Sequence, residues 1–267
     1  EPSFELTGET DPDSPPRSIV LISLDTVRAD RLETYGGPAR VAAIDAVAAD
    51  GVVFDWAISH FPETCLSHWS MMSGVLPEAH GNVPAHGGSL YQGPSLAELA
   101  RQQGLATAAF IGGVTLQDSA CGIARGFQVF DDEFEVDPTD MSRPASEVTA
   151  AAVAWIAEQT EPYFLFVHYF DAHFPYTPPA PWDTAYDSGY SGTLTGSDAD
   201  LRPYRDGGRT PSEEELAHVR SLYDGEISAL DADLAPLLQV LGPDVVLAIT
   251  SDHGESFEHD YFFNHRS

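Results

Sequence analysis

"SIVLISLD", Ser18 to Asp25, is apolar and β-branched almost throughout and ends on a carboxylate. A half-solvated antiparallel strand would alternate apolar with polar residues. A continuous run instead marks a strand covered on both faces, the kind that parallel sheets use. Outward from it the chain alternates. "PARVAAIDAVAADG" predicts a helix with Pro38 near its start and Gly51 past its end. "VVFDWAIS" predicts a further strand, "GPSLAELARQQG" a capped helix and "LATAAFIGG" a strand. "RPASEVTAAAVAWIAEQT" predicts a longer helix running into the very apolar strand "PYFLFVHYFDAH". Ser212 and Glu215 stand at capping-box spacing ahead of a long helix, and "DVVLAITSDHG" closes the series as another apolar strand. The pattern predicts an α/β fold with a central, mostly parallel sheet and helices on both faces.

Two stretches fall outside that alternation. Residues 1–17 are acidic, polar and proline-rich, which predicts a flexible leader ahead of the folded domain at 18–267. Residues 172–210 are rich in Pro, Gly, Tyr and Asp without a sustained period, which predicts a lid-like insertion or a surface excursion.

The chain carries 42 acidic against 12 basic residues, a formal charge of -30, and every basic residue is arginine. Such a surface repels nucleic-acid phosphates, so a nucleic-acid partner is excluded as an expectation. An anionic substrate would need a local cation to offset the same field. No run approaches 18 uninterrupted apolar residues, so no membrane span is expected. No GxGxxG or P-loop sequence occurs. The two cysteines, Cys65 and Cys121, make no disulfide framework; they could pair, though neither spacing nor composition argues for it.

Parallel α/β sheets build sites beyond the carboxyl ends of their strands. Those ends deliver Asp25 from the first strand, His168, Asp171 and His173 from the central one, and Asp252 and His253 from the last. Carboxylates combined with imidazole suit zinc, manganese or a similar divalent ion, and Asp25, Asp252 and His253 form the candidate ligand set. Glu255 either orients a ligand or caps a helix, and His259 is either a solvated loop residue or catalytic. His60, His80, His86 and His218 read as ordinary histidines.

Four stretches together, "LISLDTVRADRLETYG", "TCLSHWSMMSG", "FLFVHYFDAHFPYTPP" and "ITSDHGESFEHDYFFNH", resemble the sulfatase branch of the alkaline-phosphatase superfamily, from about Ile19 to the last residue. The resemblance implies a metal-dependent hydrolase or transferase acting on phosphate mono- or diesters or sulfate esters, small or linked to a glycan or lipid. It also favours an extracytoplasmic location and a zinc, manganese or calcium ion. Arylsulfatases of the family carry Cys-x-Pro-Ser-Arg, whose Cys becomes formylglycine. Counted back from Gly74, Ser67 takes the motif's Ser, Leu66 its Pro and His68 its Arg, so the nucleophile position falls on Thr64. The result resembles the threonine-nucleophile form, with Thr64 as nucleophile and fourth metal ligand. Cys65 reads as a small, partly buried neighbour. Its use as formylglycine precursor would need a one-residue slip.

The same resemblance gives His173 to the substrate's anionic group or leaving oxygen and His68 to the nucleophile or the substrate. His265 lies close to one of two lysines that arylsulfatases use and this chain lacks. Thr26 stands where they have a second Asp. These departures favour phosphate over sulfate esters and keep open an inactive anion-binding module of the same fold. Family members commonly continue past this point, so a C-terminal part is expected to be missing. Oligomeric state stays open.

Overall fold

Apolar strands need cover on both faces, and the chain supplies it from two sets of helices. The computed structural model describes residues 17–81, 91–135, 141–186, 189–258 and 261–265. In chain order β1 (Ile19–Leu24) leads to α1 (Ala42–Asp50), α2 (Thr64–Ser73), α3 (Pro77–His80) and α4 (Leu96–Gln102). Then come β2 (Ala106–Ile111), α5 (Asp118–Cys121), β3 (Val129–Asp131), α6 (Ala145–Ala157) and β4 (Tyr163–Tyr169). The last part holds α7 (Asp198–Arg205), α8 (Glu213–Val240), β5 (Val246–Thr250), β6 (Ser256–Glu258) and β7 (Tyr261–Asn264).

β1 to β5 form one sheet in the order β3-β2-β4-β1-β5, and every pairing in it is parallel. β6 and β7 make a separate antiparallel pair. Side chains alternate across each strand, so the sheet sorts its residues by parity. Val20, Ile22 and Leu24 of β1 share one core with Leu165, Val167 and Tyr169 of β4 and with buried residues of α1, α6 and α8. Phe164 and Phe166 face the other way, onto Trp69 and Met72 of α2, Ala97 and Ala100 of α4 and Cys121 of α5. Ser23 and His168 share that second parity, so they reach the α2 side.

The helix ends follow local chemistry. Ser95 and Glu98, and likewise Ser212 and Glu215, close capping boxes at the starts of α4 and α8. Asp231, inside α8, accepts from the Ala43 and Ile44 N–H groups at 3.0 and 2.9 Å and so caps α1 from another element. Pro38 lies ahead of α1, which begins later than its sequence pattern suggests.

"VVFDWAIS" is not a strand. Residues 51–62 carry no regular ladder, and Val52, Phe54, Trp56 and Ile58 are exposed. A strand is stable only when another takes its N–H and C=O groups, and among the described residues none pairs with this one. The 172–210 stretch holds α7, a helix the sequence pattern did not reveal, and it buries Tyr176, Leu201 and Tyr204. The expected leader falls almost wholly outside the described residues.

Candidate functional site

Asp25 ends β1 and Asp252 and His253 follow β5, its neighbour in the sheet, so the ladder brings them to one end. One ligand atom from each lies within 4.8 Å of the others, and all three residues are buried. Asp25 Oδ1 and Asp252 Oδ2 are buried with no hydrogen-bond partner, although buried carboxylate oxygens are normally satisfied. His253 Nδ1 lies 3.2 Å from the Gly254 carbonyl, which can only accept, so the proton sits on Nδ1. The Nε2 lone pair then points toward Asp252 Oδ2 at 3.2 Å and Thr64 Oγ1 at 3.4 Å. Unpartnered acceptors converging on one point in the interior fit a cation, and the residues present fit a divalent ion.

Thr64 is the first residue of α2, where helix N–H groups lack intrahelical partners. Its helix is tied down on the sheet side. Ser67 Oγ donates to the Asp252 carbonyl at 2.7 Å. His68 Nδ1 donates to the Thr64 carbonyl at 2.7 Å, leaving Nε2 to accept from Ser23 Oγ at 2.9 Å. His68 is fully buried and bonded at both ring nitrogens, so it ties α2 to β1. His168 Nε2 meets Asp25 Oδ2 at 3.1 Å and orients that carboxylate.

Above this group lies a second set. His265 Nδ1 bonds Glu255 Oε1 at 3.3 Å, and its ring centroid is 4.3 Å from that of His253 and 5.1 Å from that of His173. His173 Nδ1 donates to the Phe174 carbonyl at 2.7 Å. Asp171 serves elsewhere, accepting the Ala145 N–H at the start of α6 at 2.8 Å. His259 lies outside the described residues.

The electrostatics follow from burial. Burial would raise the Asp25 carboxyl, but the bond from His168 and the nearby imidazoles hold it far below the usual range. Asp252 is pushed up to about 7 by burial and by the Asp25 charge beside it. Two buried carboxylates that resist ionising together are what a bound cation would relieve. Burial drives His68 down to about 3, keeping it neutral, and also lowers His173. Burial alone would lower His253, but the Asp252 and Asp25 charges raise it. Burial alone would raise the Glu255 carboxyl, but the bond from His265 and the nearby imidazoles lower it.

Cys65 is a correction to its reading as a partly buried neighbour with pairing left open: it is buried and joined to Cys121 by a disulfide. The sequence pattern passed over Ser23, and marked Thr26 only as the residue standing where the family has a second Asp. A lone serine in an apolar strand was the available signal for Ser23. Thr26 adopts φ 58, rare for a β-branched residue, and its N–H reaches Asp252 Oδ1 at 3.2 Å. No sequence signal marks that conformation.

A family model described as Sulfatase matches residues 17–266. Among solved structures, the phosphonate monoester hydrolase of Agrobacterium radiobacter superposes with a TM-score of 0.69 at 19% identity, over 91% of this chain and 63% of that one. The zinc complex of the C-terminal periplasmic domain of EcEptC from Escherichia coli gives 0.68 at 17%, over 95% and 69%. A 2-O GAG sulfatase gives 0.65 at 18%, over 94% and 60%. This chain therefore spans roughly two thirds of the length of the structures it resembles, and at these identities the likeness shows the fold. No curated protein matches the chain. No helix among the described residues is long and apolar enough to cross a membrane.

Proposed function

The chain belongs to the sulfatase family, and we propose that it cleaves or transfers the anionic group of a phosphate, phosphonate or sulfate ester with Thr64 as the attacking residue. The observation that carries this is the placement of Thr64 Oγ1 beside His253 and the buried Asp25–Asp252 pair with its unpartnered oxygens. Asp25, Asp252, His253 and Thr64 would hold the ion. An imidazole among the donors favours zinc or manganese over calcium, which takes oxygen ligands. When bound, the ion supplies Lewis-acid polarisation and favours the ionised threonine hydroxyl.

The chain's own groups do the rest. Thr64 Oγ bonds to phosphorus or sulfur as the ester oxygen departs with its electron pair. The start of α2 favours the non-bridging oxygens through its free N–H groups. His265, held by Glu255, stands over the same centre and carries the proton exchanged with the leaving group or with the water that releases Thr64. His173 lines the site beside it. His68, Ser67 and His168 keep Thr64 and Asp25 in place.

The disulfide supports Thr64 over Cys65, because a sulfur bonded to Cys121 is not a free thiol for conversion to formylglycine. It also supports an oxidising, extracytoplasmic compartment. The test is a panel of aryl phosphodiester, phosphonate, phosphate monoester and sulfate substrates with and without added zinc or manganese. Metal-dependent turnover and a covalent adduct on Thr64 by peptide mass spectrometry are expected. Tight anion binding without turnover on any of them would overturn the reading in favour of a binding module.

A further inference from the structure

We propose that the Cys65–Cys121 disulfide is a reducible positioning element for Thr64: oxidised, it holds the start of α2 in attacking position, and reduced, it releases it. This rests on Thr64 being the attacking residue.

The residue after Thr64 is the one that is cross-linked. Adjacent helical residues point about 100° apart, so the cation pocket takes Thr64 while Cys65 turns into the second core. There Cys65 joins Cys121, the last residue of α5, and the Cys121 carbonyl also accepts Trp69 Nε1 at 3.0 Å. Trp69 lies one turn beyond Cys65 on the same face of α2. One residue, Cys121, thus grips α2 at two successive turns.

On the α5 side the disulfide and the Trp69 bond hold the first two turns of α2. Residues 51–62, which lead into it, are exposed and irregular, and Ser59 Oγ donates to the Phe61 and Asp252 carbonyls. The ties from the sheet side are hydrogen bonds: Ser67 to the Asp252 carbonyl, His68 to Ser23 and to the Thr64 carbonyl, and Thr64 Oγ1 beside His253 Nε2 at 3.4 Å. Thr64 is therefore clamped from two sides, and only one clamp is covalent. A misplacement of about 1 Å at a reacting group costs on the order of 10²-fold in rate.

Reduction by an external dithiol delivers two electrons and two protons. The Cys65–Cys121 bond breaks to two thiols while the dithiol closes to its own disulfide. Both cysteines are about 95% buried, at 5% and 4% exposure, so the exchange needs a local opening and proceeds slowly with small dithiols.

The test treats the folded, metal-loaded chain with dithiothreitol, counts thiols, and measures kcat, KM, metal content and circular dichroism before and after reoxidation. The expected result is two thiols gained and kcat reduced by about tenfold or more. KM, bound metal and fold should be nearly unchanged, and reoxidation should recover kcat. C65S/C121S should match the reduced state and not respond to dithiothreitol. Unchanged kcat with both thiols titrated overturns the proposal, as does reduction only with loss of fold, or two free thiols in air-oxidised protein. If the oxidised chain turns over no substrate, the Thr64 assignment fails separately. Hydrogen exchange at the first turn of α2 then decides for the disulfide: faster exchange on reduction upholds the clamp, and unchanged exchange overturns it.

Discussion

Residues 52–61 and 64–73 are neighbours in sequence, and the first is the richer in apolar and aromatic side chains, yet it is the second that is buried. Eight of the ten residues of α2 are buried, while Trp56 of the preceding stretch is 88% exposed. The difference lies in partners. Trp69 and Met72 of α2 meet a sheet face of matching parity, with Phe164 and Phe166 opposite them, and its polar residues find Ser23 and the Asp252 carbonyl. The earlier stretch makes few ties, among them Ser59 Oγ to the Asp252 carbonyl and Tyr35 OH to the Phe54 carbonyl. Apolar composition states what a segment would gain by burial. Whether it is buried depends on a surface being offered.

Substitutions along the two stretches test that contrast. The largest effect is expected at Thr64: Thr64→Ala should lower kcat by about 10³-fold or more, because a residue that forms the covalent bond has no substitute. Metal content should stay near that of the wild type, and turnover with elemental analysis on the same preparation checks both. Activity retained in that variant would remove the functional half of the contrast.

Asp252→Ala and Asp25→Ala should abolish metal binding, read by elemental analysis, with activity falling alongside. Chelation of the wild type should mimic them, and added zinc or manganese should restore it. Equal metal content in the variants and the wild type would contradict the ligand set.

Stability separates the stretches more directly. Met72→Ala empties a side chain that is 2% exposed and should cost about 2–5 kcal/mol in urea unfolding. The smallest effect belongs to Trp56→Ser and Ile58→Ser, which should each change stability by no more than about 0.5 kcal/mol. A loss at Trp56 as large as that at Met72 would show that the exposed stretch is covered in solution.

Much of the site was legible because the order of the strands in the chain and the location of their carboxyl ends follow from apolar patterning. Asp25, Asp252 and His253 each follow a continuous apolar strand, so sequence alone could nominate them. Their approach to within 4.8 Å required β1 and β5 to be neighbours, a long-range pairing that no local pattern encodes. Asp171 had the same credentials and became a cap for α6. The strand expected at Val52 failed for the complementary reason, since its propensity was present and a partner was not.

What the sequence by itself determined are the properties written in single residues and short periods. These include the parallel α/β class, the capped helices, the arginine-only basic set, and the count from Gly74 that puts Thr64 at the motif's nucleophile position. Tertiary structure decided the pairings: Cys65 with Cys121, His168 with Asp25, His68 with Ser23, and Thr26 held in a left-handed turn beneath Asp252. Local propensity acts over a few residues, whereas these contacts span 45 residues or more, or rest on a backbone conformation that only the surrounding fold makes tolerable.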